Sequence, residues 1–252
     1  MENIIKSIKE DIDKCTTYEK PKIIFIGGIP GSGKTLLINK TKEMFSNEDF
    51  AVIEADNYRM YLNNSSFVED TAKDANFLEE QAIYYAIENK KNIINISTLR
   101  AYEFIDNLIK EKVLKNNYKI YIYIIVTNEL ESVLSTYERY IIDKNNSNSF
   151  ARLNKLEYFT SACDGFKKGF EYLTKQDYVK EVKLFKRGEF MSLPIEINST
   201  IEEEINNQMK NINHKEIEKR IENIRKKLYE EYERKEFENI YSNLIEKLLK
   251  IC

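Results

Sequence analysis

Apolar and polar stretches alternate along the chain in a way that predicts strands separated by helices. Apolar runs predict strands over residues 22–27, 51–55, 92–96 and 118–126. Helical periodicity predicts helices over residues 4–15, 34–45, 77–89, 102–114, 130–142 and 155–174. After Lys119 the fourth strand is an unbroken run of β-branched and aromatic residues, as in a strand buried on both faces. This alternation predicts an α/β fold with a parallel sheet flanked by helices.

The pattern changes toward the carboxyl end of the chain. A polar stretch over residues 143–152 predicts a mobile loop, and apolar runs at 179–185 and 190–193 around residues 186–189 predict a hairpin. From Thr200 onward there is no glycine or proline, and Thr200 with Glu203 forms a capping-box signature before apolar residues at helical spacing. We therefore expect a main domain over residues 1–198 and a C-terminal helical appendage over residues 199–252, packed on the main domain or extending from it.

Composition narrows the classes of protein that fit. A net charge of −3 does not favour non-specific binding to nucleic acids, which depends on neutralising phosphates. Three widely spaced cysteines and one histidine argue against a disulfide framework or a histidine-based metal site, and they suit a reducing cytosol. The longest apolar run, 120–126, is too short to cross a bilayer, and the polar start does not resemble a signal peptide. We expect a cytoplasmic protein without nucleic-acid or membrane partners.

Four of the seven glycines lie within residues 27–33, between a predicted strand and a predicted helix. The segment matches G-x-x-x-x-G-K-[ST], the motif that cradles nucleotide phosphates, with Gly28, Ile29, Pro30, Gly31, Ser32, Gly33, Lys34 and Thr35. Glycines let successive N–H groups point at a phosphate, the lysine reaches the β- and γ-phosphates, and the threonine hydroxyl binds Mg²⁺. The motif predicts a P-loop NTPase-type fold that binds ATP and Mg²⁺.

The acid that follows the second strand distinguishes a kinase from a switch protein. Switch NTPases usually carry an Asp at the end of a later strand, whereas here the third strand ends in NIINIS. Asp56 follows the second strand and should share an edge of the sheet with the phosphate loop, where it would accept a proton from a phosphoryl acceptor. The alternative is that Asp56 caps the helix that follows it.

Three arginines should lie near the same edge. Arg100 follows the third strand and would bind an anionic substrate, although a surface arginine in a loop is the commoner case. Arg139 and Arg152 flank the polar loop, as in kinases whose lid carries arginines that stabilise the transferring phosphoryl group. The alternatives are that Arg139 pairs with Asp143 one turn further on and that Arg152 is solvated.

With these residues in place, the chain resembles the zeta toxin family, bacterial toxins that are UDP-N-acetylglucosamine kinases. The resemblance covers residues 20–195. It depends on GGIPGSGKT, the E-A-D that ends at Asp56, S-T-L-R after the third strand, and E-R-Y followed by F-A-R. It implies a cytoplasmic toxin that phosphorylates the 3′-hydroxyl of the sugar in UDP-N-acetylglucosamine and so poisons cell-wall synthesis, with a small antitoxin protein of epsilon type as partner.

The resemblance also implies a role for each matching residue. Asp56 would be the catalytic base, Lys34, Arg139 and Arg152 would stabilise the phosphoryl group, and Thr35 would hold Mg²⁺. The residues that would line the nucleotide-sugar pocket are Glu80, Thr98 and Arg100. Glu79 is adjacent to Glu80 and competes with it for this match, and Ile96 stands where the family often has an acid.

Two other functions remain open on the sequence. One is a P-loop kinase of another small molecule, such as a different nucleotide sugar or an antibiotic. The other is a nucleotide-dependent binding module that uses the C-terminal helices as its partner surface.

Overall fold

A six-stranded sheet forms the centre of the protein, in a computed structural model that describes residues 1–46, 48–62, 68–146, 151–188 and 192–249. The strand order is β2-β3-β1-β4-β5-β6. The strands are β1 (Lys22–Gly27), β2 (Ala51–Glu54), β3 (Ile93–Ser97), β4 (Lys119–Val126), β5 (Val179–Lys186) and β6 (Ile195–Ile197). Strands β1 to β5 run parallel, whereas β6 is antiparallel to β5.

Ten α-helices surround the sheet within the described residues. They are α1 (Glu2–Asp13), α2 (Lys34–Met44), α3 (Ala55–Tyr58), α4 (Ala72–Glu88), α5 (Tyr102–Leu108), α6 (Glu129–Asn145), α7 (Leu156–Leu173), α8 (Ile201–Lys210), α9 (His214–Lys227) and α10 (Glu231–Leu249). Short 3₁₀ turns follow α3 at Arg59–Tyr61 and precede α4 at Val68–Thr71. A π turn at Ile109–Val113 and a 3₁₀ turn at Leu114–Asn116 follow α5.

The central strands are buried on both faces, which explains their continuous apolar sequences. In β1, Ile23 and Phe25 belong to one hydrophobic cluster, whereas Ile24 and Ile26 belong to a second cluster on the opposite face. Strand β4 alternates between the two clusters in the same way. The predicted α/β sheet with helices on both sides is therefore confirmed.

The C-terminal helices share the larger of these two clusters. Ile217, Ile221 and Ile224 of α9 are buried in it, together with Phe237 of α10. Thr200 caps α8 in a complete capping box with Glu203, as the sequence predicts. The division between residues 198 and 199 stays a prediction.

Two predicted segments differ from the structure or lie partly outside the described residues. The hairpin prediction placed its second strand at 190–193, but the strand that pairs antiparallel with β5 begins at Ile195, and residues 189–191 lie outside the described residues. The predicted loop at 143–152 begins later, because α6 continues to Asn145, and its residues 147–150 lie outside the described part. In the part of the chain that is described, no helix has the length and apolarity needed to span a membrane.

Candidate functional site

The carboxyl ends of the five parallel strands open into a cavity of about 1810 Å³. Parallel strands place their carboxyl ends at one edge of the sheet, so the segments after β1 to β5 all reach this cavity. Helices α4, α6, α8 and α9 contribute further walls. Ligand pockets commonly measure about 300–1,000 Å³, so this cavity has room for two ligands side by side.

The phosphate loop lies at the edge of this cavity, between β1 and α2. Gly31 and Gly33 have positive φ angles of 74° and 96°, which side chains rarely adopt, and Gly33 is the N-cap residue of α2. A Cβ on Gly31 would lie 2.3 Å from the carbonyl oxygen of Ser132, so helix α6 leaves no room for a side chain there. Of the eight motif residues, Pro30, Gly31, Gly33, Lys34 and Thr35 line the cavity, whereas Gly28, Ile29 and Ser32 lie behind them.

Lys34 is fixed by its own loop. Its Nζ donates hydrogen bonds to the carbonyl oxygens of Gly28 at 2.9 Å and Ile29 at 3.0 Å. Burial lowers the pKa of Lys34 to about 8, while the carboxylates of Glu54 and Asp56 oppose that effect. An ammonium group in such an environment favours an anionic ligand, because a nearby negative charge offsets the cost of burial.

Asp56 lies in the first turn of α3 and contacts two arginines. Its Oδ1 accepts a hydrogen bond from Nε of Arg59 at 2.9 Å, and its Oδ2 lies 3.0 Å from Nη1 of Arg152. Burial alone would raise the pKa of Asp56, but the charges of Arg152, Arg59 and Arg139 outweigh it and lower the pKa. The N-cap residue of α3 is Glu54, so the alternative that Asp56 caps this helix is wrong.

The two predicted lid arginines lie close to Asp56. Burial lowers the pKa of Arg139, the charge of Arg152 adds to this effect, and Asp56 opposes it more than Asp143 does. The buried Nε atoms of Arg139 and Arg152 have no hydrogen-bond partner among the described residues. Since a buried, unpaired donor is costly, these atoms are suited to an anionic ligand that would accept their hydrogen bonds.

Thr98 and Arg100 follow β3, the strand between β2 and β1, and line the same cavity. The guanidinium carbon of Arg100 lies 4.6 Å from the centre of the Tyr158 ring, over its face. Helix α7 passes close to this loop at two glycines, where a Cβ on Gly165 would lie 2.4 Å from Cγ of Arg100 and a Cβ on Gly169 would lie 2.1 Å from the Leu99 carbonyl oxygen. The glycines of α7 therefore fix where Arg100 enters the cavity.

Both glutamates of α4 that the sequence could not distinguish line the cavity. Glu80 accepts a hydrogen bond from the hydroxyl of Tyr84 at 2.6 Å, and Glu79 accepts one from Nδ2 of Asn95 at 2.7 Å. Burial raises the pKa of Glu79 to about 7, and burial together with the charge of Asp56 raises the pKa of Glu54. Ile96 also lines the cavity, and its side chain belongs to the smaller hydrophobic cluster.

Arg187, at the end of β5, is a cavity residue that sequence reasoning assigned to a turn. Its Nε donates to the carbonyl oxygen of Ser32 at 2.9 Å, and its Nη2 donates to that of Gly31. Its Nη1 donates to the hydroxyl of Ser135 at 2.8 Å. Arg59, Asn95 and Tyr158 are other cavity residues that the sequence analysis did not select. Of these, Arg59 lies three residues after Asp56, which is the spacing of an ion pair on a helix.

The donor set suits a magnesium ion held mainly by nucleotide phosphates. Among the described residues no group of three His, Cys, Asp or Glu side chains is arranged to hold a metal ion. Mg²⁺ in kinases needs only one or two protein oxygens besides phosphates and water, and Thr35 offers a hydroxyl beside the phosphate loop. The residues present therefore fit such an ion.

The predicted site residues thus lie together, with Arg152 joined to them through its ion pair with Asp56. The residues that line this one cavity are Lys34, Thr35, Asp56, Glu80, Thr98, Arg100 and Arg139. A phosphate cradle, a carboxylate and two cationic side chains at one edge of a sheet are the parts that phosphoryl transfer requires.

Solved structures share this fold at low sequence identity. A chain from the PezAT chromosomal toxin–antitoxin system of Streptococcus pneumoniae superposes with a TM-score of 0.66 at 16% identity, over 90% of this chain and 96% of that one. A chain from the AvrRxo1-ORF1:AvrRxo1-ORF2 complex gives a TM-score of 0.55 at 12% identity, over 95% of this chain and 78% of that one. At these identities the likeness shows the fold alone.

Sequence comparison identifies the family. Among curated proteins no sequence matches the chain. The family model described as Zeta toxin matches residues 5–196, well over half of the chain. The fold, the phosphate loop and this match agree with the resemblance seen in the sequence, and we conclude that the chain belongs to the zeta toxin family.

Proposed function

We propose that the protein is an ATP-dependent kinase that phosphorylates the 3′-hydroxyl of the sugar in UDP-N-acetylglucosamine. In this proposal it acts in the cytosol as the toxin of a toxin–antitoxin system. The observation that carries the proposal is the convergence of the phosphate loop, Asp56, Arg139 and Arg152 at one edge of the sheet. Family membership supports the same reaction class.

The cavity would hold the two substrates on opposite sides of the transferring phosphate. ATP would lie along the loop from Gly28 to Thr35, and the nucleotide sugar would lie between Asp56 and Arg100. Thr35 would hold Mg²⁺ together with the phosphate oxygens, and the ion would neutralise charge between the β- and γ-phosphates. A cavity of about 1810 Å³ has the room that two such ligands need.

Asp56 would act as the base. Its depressed pKa keeps it ionised at neutral pH, so it is able to accept the proton of the sugar hydroxyl. The hydroxyl oxygen then forms a bond to the γ-phosphorus, the bond to the β–γ bridging oxygen breaks, and ADP leaves. Lys34, Arg139 and Arg152 would stabilise the negative charge on the transferring group.

The ion pair between Arg152 and Asp56 gives this proposal an order of events. Without ligand, Arg152 lies 3.0 Å from the carboxylate and makes it a weaker base. A phosphoryl group that attracts Arg152 would weaken that ion pair, and the pKa of Asp56 would rise. The carboxylate would then become a stronger base when the phosphate donor is in place.

A partner protein belongs to the same proposal. The similar structures come from a toxin–antitoxin system and from a two-protein complex. By analogy we propose a small antitoxin of epsilon type that covers the nucleotide side of the cavity and prevents ATP from binding.

Ile96 favours a second candidate, which is the same reaction with another acceptor. An apolar side chain accepts no hydrogen bond from a sugar hydroxyl, and Glu79 with Asn95 presents different polar groups nearby. A different nucleotide sugar would suit that change.

A panel of acceptors tests both candidates. The protein is incubated with Mg·ATP and each of several nucleotide sugars, and mass spectrometry detects a product that has gained one phosphate. Phosphorylation of UDP-N-acetylglucosamine with the highest kcat/KM supports the first candidate, whereas preference for another nucleotide sugar supports the second. ATP hydrolysis that no acceptor stimulates would contradict both.

A further inference from the structure

The cavity has a side that the proposed chemistry does not use. On one side of the phosphate loop lie Asp56 and Arg100, and the opposite side is lined by Arg187, Glu131 of α6 and Arg220 of α9. Arg220 lies beyond residues 5–196, the span that the family model matches. The C-terminal helices therefore reach the nucleotide side of the cavity.

Arg187 binds the phosphate loop through two of its carbonyl groups. Its planar guanidinium donates to the carbonyl oxygens of Gly31 and Ser32 and to the hydroxyl of Ser135. The described chain has no cis peptide bonds, so the N–H of Gly33 points the opposite way from the Ser32 carbonyl and hence away from Arg187. An arginine that holds the Ser32 carbonyl therefore leaves the Gly33 N–H free of that contact and available to a bound phosphate.

A chain of alternating charges connects Arg187 to α9. Oε2 of Glu131 lies 4.0 Å from Nη1 of Arg187 and 2.8 Å from Nη1 of Arg220. Arg220 also binds Glu138 through two hydrogen bonds, of 2.7 and 2.8 Å. Arg220 thereby holds Glu131 and Glu138 of α6 together and fixes Glu131 beside Arg187.

The pKa values of the two arginines depend on the carboxylates beside them. Burial lowers the pKa of Arg187, and the carboxylate of Glu131 opposes that effect. Burial would also lower the pKa of Arg220, but its hydrogen bonds to Glu138 and Glu131 raise it above the ordinary value. Without Arg220, Glu131 would lose its closest cationic partner and the hydrogen bond that orients it.

We propose that Arg187 and Arg220 are positioning residues for the nucleotide: Arg187 holds the phosphate loop in its binding conformation, and Arg220 supports Arg187 through Glu131. Helix α9 would then adjust nucleotide affinity without touching the reacting atoms. This inference rests on the proposed binding of ATP at the phosphate loop, and it does not depend on which acceptor the enzyme uses.

Direct binding of Mg·ATP to the full-length protein, without acceptor, tests the inference. Arg187→Met should raise the Kd for Mg·ATP about tenfold or more above the wild-type value, because it removes hydrogen bonds from a charged donor to the phosphate loop. Arg220→Met should raise the Kd roughly threefold, because Arg220 acts on the loop only indirectly, through Glu131 and Arg187. Arg187→Lys should recover part of the affinity, because lysine keeps the positive charge but lacks the planar guanidinium that donates to several acceptors at once.

Arg225→Met is the matched control, since Arg225 lies on the same helix and pairs with Glu238 away from the cavity. Its Kd should equal that of the wild type. The melting temperature is measured for every variant, because a purely structural role would lower stability and leave the Kd unchanged.

The double variant Arg187→Met/Arg220→Met decides whether the two residues act in sequence. If Arg220 acts through Arg187, its substitution adds no further loss of affinity once Arg187 is gone. Additive losses, or an unchanged Kd in both single variants, would overturn the inference. If the wild-type protein itself binds no Mg·ATP, the proposed function fails first, so the two failures are distinguishable.

Discussion

Gly169→Ala should move the loop that carries Arg100 without disturbing the nucleotide. The added Cβ would lie 2.1 Å from the carbonyl oxygen of Leu99 and 3.0 Å from its carbonyl carbon. Ordinary contacts of a Cβ begin at 3.4 Å, so α7 and the loop must separate by roughly 1 Å. Leu99 is fully buried and has a φ of 54°, so it has little freedom to adjust.

Two opposing effects set the stability of this variant. Overpacking of this kind costs about 1–3 kcal/mol. Replacing glycine by alanine inside a helix returns about 0.5–1 kcal/mol. We therefore expect a net loss of up to about 2.5 kcal/mol in the free energy of unfolding, which leaves the protein folded.

The effect on activity should be larger and confined to the acceptor. A displacement of about 1 Å in a substrate-positioning group can cost up to a hundredfold in rate, so we expect kcat/KM for the acceptor to fall tenfold to a hundredfold. An assay coupled to ADP release measures this value, and direct binding measures the Kd for Mg·ATP, which should stay within about twofold of the wild type.

Lys168→Ala is the control, because Lys168 lies on the exposed side of the same helix. Its acceptor kinetics should match those of the wild type. The reasoning is refuted if Gly169→Ala retains full kcat/KM for the acceptor, or if it weakens Mg·ATP and acceptor equally.

Three further variants probe separate parts of the site and the core. Glu79→Gln should raise stability at pH 8 by as much as about 3 kcal/mol, because a carboxyl with a pKa raised to about 7 destabilises the fold once it is ionised. That penalty is absent below the pKa that Glu79 has in the unfolded chain, and it grows as the pH rises toward 7. Urea unfolding at pH 4.5 should therefore show little difference between the variant and the wild type. Lys34→Met should raise the Kd for Mg·ATP at least a hundredfold while circular dichroism stays unchanged, since it removes a charge-assisted contact to phosphate; equal affinity would contradict the phosphate-loop assignment. Glu233→Gln should cost about 2 kcal/mol in stability, because this buried carboxylate accepts from the hydroxyl of Tyr140 and pairs with Lys144; an unchanged urea midpoint would show that these contacts contribute little.

The sheet and the phosphate loop could be predicted because their signals are local. The glycine spacing, the preceding strand and the following helix all lie within the sequence 22–44. In β4 the uninterrupted apolar run by itself predicts burial on both faces, and the structure places its alternate residues in two clusters.

The remaining features depend on contacts between distant residues. Arg187 acts on Ser32, which is 155 positions away, and nothing near residue 187 distinguishes it from an ordinary turn arginine. Glu79 differs from Glu80 because it accepts a hydrogen bond from Asn95 of β3. That contact forms only when α4 packs on the sheet. The second strand of the hairpin was misplaced because short apolar runs specify register weakly.

Asp56 shows how the structure removes one of two open interpretations, while the role of base stays a proposal. A capping role and a role as base were equally consistent with its position after β2. The fold brings Arg152, which is 96 positions further along the chain, to Asp56 as an ionic partner, and Asp56 does not cap the helix.

The most direct test of the central claim compares the wild-type protein with Asp56→Asn in Mg·ATP and UDP-N-acetylglucosamine. The account predicts that the wild type yields the sugar 3′-phosphate and ADP in equal amounts. It predicts that Asp56→Asn transfers phosphate at least about a hundredfold more slowly while its Kd for Mg·ATP is nearly unchanged. Transfer at the wild-type rate by Asp56→Asn would contradict the account, because the carboxylate at the edge of the sheet would then not be the base.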